Sequence, residues 1–174
     1  MAILPIIIAP DPRLKAECDP VEKVTPELVK LMDDMLDTMY DAPGIGLAAI
    51  QIGISKRIIV LDISKDPKKK EPMYFVNPEK VYASKDQATY EEGCLSVPGQ
   101  FAEIDRPDKC HIKYLDYNGD SKELKADGLL ATCIQHEMDH LEGILFIDYL
   151  SKLKRSMITK KLSKQKKELE RIVV

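Results

Sequence analysis

Residues 127–142 read as a helix that is apolar on nearly every side and yet carries two histidines and a glutamate. Asp127 suits the N-cap, and Gly143 suits the stop. Leu129, Leu130, Ala131, Cys133, Ile134, Met138 and Leu141 cover most of its circumference, the pattern of a helix buried in a core. Burying His136, Glu137 and His140 there is costly unless something satisfies them. The run His136-Glu137-Met138-Asp139-His140 has the H-E-x-x-H spacing. At about 100° per residue, the two imidazoles lie about 40° apart around the axis and one turn apart along it. Both therefore reach one metal ion from the same face, and Glu137 can act on a metal-bound water without being a ligand. The chain has only three His in 174 residues, so a chance pair is a poor account.

A helix of this kind supplies two ligands, and a third is needed. No His follows His140, and the only downstream acids are Glu142, Asp148, Glu168 and Glu170, which weakens an ordinary zinc-peptidase reading. Cys94, in Glu91-Glu92-Gly93-Cys94-Leu95-Ser96, is the attractive candidate, because Gly93 allows close backbone approach and a thiolate is a strong ligand. Cys133 remains open, since it shares the helix face of His136 and His140. If both cysteines bound, the site would be a closed, structural Cys2His2 site. Glu137 would then have no purpose, which favours an open, catalytic site. Gly44-Ile45-Gly46-Leu47-Ala48-Ala49-Ile50-Gln51 also stands out: two Gly and two Ala permit close approach, and Gln51 offers a hydrogen bond.

The rest of the chain suggests a frame around that helix. Leu28, Leu31, Met32, Met35, Leu36, Met39 and Tyr40 form one stripe of a helix over 26–40, capped by Thr25 with Pro26 in its first turn. Residues 57–63 and 73–77 read as strands, the second stopped by Pro78. Residues 110–117 alternate, and Asn118-Gly119 turns the chain into a partner strand over 121–126, so His111 and Cys110 read as packing residues. The apolar run before Pro10 reads as an early buried strand. A helix over 151–172 carries an intermittent stripe of Leu153, Met157, Leu162, Leu169 and Ile172. This order of elements predicts an α+β fold in one domain, 1–174.

Charge is uneven. Residues 1–150 hold 17 basic and 27 acidic residues, whereas 151–174 hold nine and two, a net of -10 against +7. Such a tail can contact nucleic acid, or it can be a solvated helix face. No apolar run approaches the roughly 20 residues of a membrane span. With no secretory leader in view, the cytoplasm is expected, with the four Cys as thiols or ligands. The residues alone thus leave three readings: an open catalytic metallohydrolase, a metallopeptidase, and a structural zinc module binding RNA through its tail.

Taken jointly, three segments resemble the peptide deformylase family. Gly44–Gln51 is similar to its G-x-G-x-A-A-x-Q, Glu92–Ser96 to its E-G-C-L-S, and Gln135–Leu141 to its Q-H-E-x-D-H-L. The resemblance implies removal of the formyl group from the N-formylmethionine of new proteins, with release of formate. It implies antiparallel β-sheets around the central metal-binding helix, with a C-terminal helix. It implies Cys94, His136 and His140 as ligands with water in the fourth position. Fe2+ is the metal implied in the cell and Zn2+ or Ni2+ in preparations, whereas the residues alone point to zinc. Glu137 would move the proton from water to the leaving amine, while Gln51 and the Leu95 backbone N–H would stabilise the oxyanion. Gly44, Ile45, Gly46 and Gly93 would flank an extended substrate, and Ile45, Leu129 and Cys133 would wall the methionine pocket. One position departs from the pattern: Phe101 follows Gln100, where a basic residue is expected. Arg106 nearby is available for such a contact or is a surface charge, and the basic tail would contact the ribosome.

Overall fold

The computed structural model describes residues 2–173, with side chains as far as Glu168. In chain order the main elements are α1 (Pro26–Asp41), β1 (Gly46–Ala48), β2 (Ile58–Leu61), β3 (Met73–Ala83), β4 (Gln87–Cys94), β5 (Val97–Pro107), β6 (Lys109–Leu115), β7 (Ser121–Asp127), α2 (Gly128–Leu141) and α3 (Lys152–Val173). Five strands form an antiparallel sheet in the order β1-β2-β3-β6-β7, and β4 with β5 forms a separate hairpin. The fold is α+β.

The local signals explain most of these elements. Thr25 Oγ1 accepts the Leu28 amide at 3.2 Å and caps α1. β2 is buried along its whole length because it has a helix on each face. Ile58 and Val60 pack with Met32, Met35 and Met39 of α1, while Ile59 and Leu61 pack with Ala131, Ile134 and Leu141 of α2. A strand covered on both faces has no polar side, so it reads as a continuous apolar run. α2 packs against both the sheet and the β4–β5 hairpin, which makes it the centre of the molecule. Just past its C-cap the chain turns at Gly143, where φ is +73° and a Cβ would lie 2.3 Å from the Lys15 carbonyl oxygen.

Four expectations change. The apolar N-terminus is not a strand: it runs extended, with the Ala2 and Leu4 amides donating to Asp34 and Thr38 of α1 and the Ile7 amide to the Gln51 carbonyl. Met1 lies outside the described residues. Pro78 does not stop β3, because a register shift between Val76 and Glu79 absorbs it, with Asn77 at φ 51°. The segments 87–94 and 97–107, unassigned by periodicity, are strands. On α3 the stripe is displaced: Leu162 is buried and Ile158 packs beside it, but Leu153 and Met157 are exposed. Met157 lies about 100° round the helix from Ile158, which leaves it at the open edge of the contact with β5. Leu169 and Ile172 lie outside the described side chains.

Candidate active site

The tip of the β4–β5 hairpin meets α2. Cys94 ends β4, Leu95 and Ser96 form the turn, and Cys94 pairs with Val97 across it. One ligand atom each of Cys94, His136 and His140 lies within 4.8 Å of the others. Cys94 Sγ is 3.4 Å from His140 Nε2, and the two imidazole centroids are 5.1 Å apart. His136 Nδ1 is engaged by Glu92 Oε1 at 2.8 Å, so its Nε2 is the nitrogen left to a metal. Burial by itself pushes the His136 imidazolium down, but hydrogen bonds to Cys94 and Glu92 outweigh it and hold the group up at about 10. His140 is held well below its ordinary value, first by burial and then by His136, so it stays neutral as a ligand must. A thiol and two imidazoles whose ligand atoms converge within 4.8 Å fit a divalent metal ion.

Glu137 sits beside the cluster, with Oε1 3.9 Å from His136 Nε2. Its Oε2 is buried without a partner among the described residues. Burial, reinforced by Glu92, pushes its carboxyl up to about 7 against the opposing charge of His136. Gly46 of β1 lies against it: a Cβ there would be 2.7 Å from Glu137 Oε1. Only glycine lets the strand pass so close to that carboxylate. Gln51 is oriented by its neighbours. Its Oε1 accepts the Ala48 amide at 2.9 Å, which leaves Nε2 to donate to Ser96 Oγ at 3.0 Å and to approach Cys94 Sγ at 3.5 Å.

A cavity of about 460 Å³ opens beside this centre. Gly44, Ile45, Gly46, Gly93, Leu129 and Cys133 all line it, together with Cys94, Leu95, His136 and Glu137. Gln51 and His140 are fully buried behind that lining. Cys133 is on the wall and outside the ligand cluster, its thiol pushed up to about 12 by burial, so the closed Cys2His2 arrangement is not formed.

Residues 3–156 match the family described as polypeptide deformylase. The chain belongs to that family. It is 66% identical over its full length to the peptide deformylase of Pelagibacter ubique, which it also covers completely. Among solved structures, it is similar to a peptide deformylase from Legionella pneumophila, with a TM-score of 0.90, 48% identity and coverage of 98% and 99% of the two chains. It is also similar to the Ehrlichia chaffeensis peptide deformylase in complex with actinonin, with a TM-score of 0.91, 44% identity and coverage of 95% and 98%. Membership makes this chain a metal-dependent hydrolase that removes N-formyl groups.

The deformylase site has a further layer that the sequence reading missed. Arg106 is not a surface charge: it is 4% exposed. Its Nε and Nη2 donate to the two Glu92 oxygens at 2.7 and 3.0 Å, and Nη1 donates to Asp139 Oδ2 at 2.8 Å. The Tyr149 hydroxyl donates to that same Asp139 oxygen at 2.6 Å. One guanidinium thus ties β4 to α2 and orients the carboxylate that holds His136. A signal was present: E-G-C-L-S and Q-H-E-x-D-H-L each contain an acid with no ligand role, Glu92 and Asp139. Two such acids in a core require a cation.

Proposed function

We propose that Cys94, His136 and His140 hold one divalent ion, Fe2+ in the cell, and that residues 1–174 form a single domain acting on the formylmethionine end of nascent chains. The observation that carries this reading is the convergence of three ligand atoms within 4.8 Å, beside a buried glutamate with an unpartnered oxygen. Three protein ligands leave a coordination position open, as catalytic ions require. The donor set suits Fe2+, Zn2+ or Ni2+. A bound ion supplies Lewis acidity, which brings the pKa of a water towards neutrality. Glu137 accepts a proton from that water and delivers it to the departing amine. Gln51 Nε2 and the Leu95 backbone N–H donate to the formyl oxygen as it becomes negative; losing one such donor costs on the order of 3 kcal/mol.

Ile45, Leu129 and Cys133 give the cavity an apolar wall suited to the methionine side chain. The backbones at 44–46 and 93 flank an extended peptide, which pairs as an added strand. Actinonin, bound by the Ehrlichia relative, is expected to compete here. The exposed lysines of α3 suit a phosphate-rich ribosomal surface. No helix among the described residues is long and apolar enough to cross a membrane, and we place the protein in the cytoplasm with its substrates.

The test is formate release from formyl-Met-Ala-Ser by anaerobically prepared protein, with metal analysis of the same sample. Turnover with stoichiometric iron is expected. No formate from Fe2+- or Ni2+-loaded protein overturns the assignment. For the tail, Lys160→Gln, Lys164→Gln and Lys167→Gln together should weaken ribosome co-sedimentation while small-peptide turnover persists; unchanged co-sedimentation removes that role.

A further inference from the structure

We propose that substrate recognition continues past the metal cavity into a second groove beyond Phe101, which takes an apolar side chain of the same peptide followed by an acidic one. This rests on the reading of the first cavity as the seat of a formylated N-terminus. Phe101 is 65% exposed, yet its ring is placed. It lies over Gly93, where a Cβ would be 2.5 Å from the ring, so the absent side chain next to Cys94 is what admits it. The ring borders two spaces at once: the metal cavity and a groove of about 530 Å³ between β5 and α3. Leu150, Met157 and Ile158 line the far side of that groove, with Lys154 and Lys161 beside them.

Two observations identify the occupant. First, the two spaces lie side by side and share one wall residue, Phe101. An extended chain advances about 3.3 Å per residue, so a peptide anchored in the first cavity enters the second within a few residues. Second, the groove has apolar surface that the protein itself leaves uncovered, since Met157 is 55% exposed while Leu162 and Ile158 hold α3 to the body. Two lysines against the single acid Glu103 favour an acidic neighbour for that apolar side chain. Phe101 stands where a basic residue is expected, so at this junction the chain offers an aromatic surface rather than a charge. These contacts are remote from the bond that breaks and hold ground and transition states alike, so they act on KM more than on kcat.

The test walks one leucine through positions 2 to 5 of formyl-Met-Ala-Ala-Ala-Ala and then places Asp or Lys after the best position. One position should raise kcat/KM about fivefold over the all-alanine peptide, chiefly through KM, as expected for partial burial of a leucine. Asp after it should outperform Lys, and Lys161→Glu should reverse that order. Met157→Asp, an exposed change whose folding is checked by thermal circular dichroism, should abolish the leucine gain. No favoured position in the wild-type protein, or a full gain in Met157→Asp, overturns the proposal. A change in sedimentation with Met157→Asp but no change in peptide preference assigns the groove to a second copy and also overturns it. If even the all-alanine peptide yields no formate, the deformylase reading fails first and the groove falls with it.

Discussion

α2 buries nine of its 14 residues between the sheet and the hairpin. α3, half as long again, buries only Leu162 among its described side chains. Both carry apolar and ionisable groups on neighbouring faces, yet the polar groups live under different rules. In α2 they have little or no water, so several take a particular partner: Glu92 for His136, Arg106 for Asp139, and the Pro107 carbonyl for Gln135 at 2.9 Å, while Glu137 Oε2 beside the metal ligands has none among the described residues. In α3 the lysines are mostly exposed and keep their hydration. A buried polar group is thus a statement about a specific structure, whereas an exposed one records only surface character.

Substitutions can break that contrast, and the largest effect falls on α2. Glu137→Ala should lower kcat by about 10³-fold and leave metal content unchanged, as steady-state kinetics with metal analysis would read. Nearly full activity would remove the proton-transfer role. Arg106→Ala leaves the buried Glu92 and the half-buried Asp139 without their cation and should destabilise by about 3 kcal/mol in denaturant unfolding. It should also weaken metal binding about tenfold, because the carboxylate orienting His136 is released. A neutral result would mean that water replaces the guanidinium. On α3, Leu162→Ala should cost about 2 kcal/mol, read in the same unfolding experiment, by opening a cavity against Phe146 and Leu145. At the bottom of the scale, Lys164→Gln with Lys167→Gln should change stability by less than about 0.5 kcal/mol. A larger loss would show that α3 is held by more than Leu162, the one buried leucine among its described side chains.

Much of this site was legible because helical periodicity is local. His136, Glu137 and His140 could be grouped from their spacing, and the stripe of α1 and the Asn118-Gly119 hairpin follow from equally short patterns. The β4–β5 hairpin was harder. One side of it faces water and the other faces α2, so acids, Gly and Pro dilute its alternation. The N-terminal run misled in the opposite sense: it is apolar enough for a strand, but its amides find α1 side chains and the Gln51 carbonyl instead of a ladder.

That two imidazoles and a carboxylate share one region of a buried helix follows from residues at most four apart, and so from the order of residues alone. That order also marked Cys94 and Cys133 as competing thiols. Only the tertiary structure decided between them, by folding the hairpin tip onto α2, so that Cys94 meets His140 across 46 residues of chain while Cys133 stays on the cavity wall. The same closure buried Arg106 between two acids and set Gly46 against Glu137. Those contacts depend on which distant segments share a core, and no local pattern records that choice.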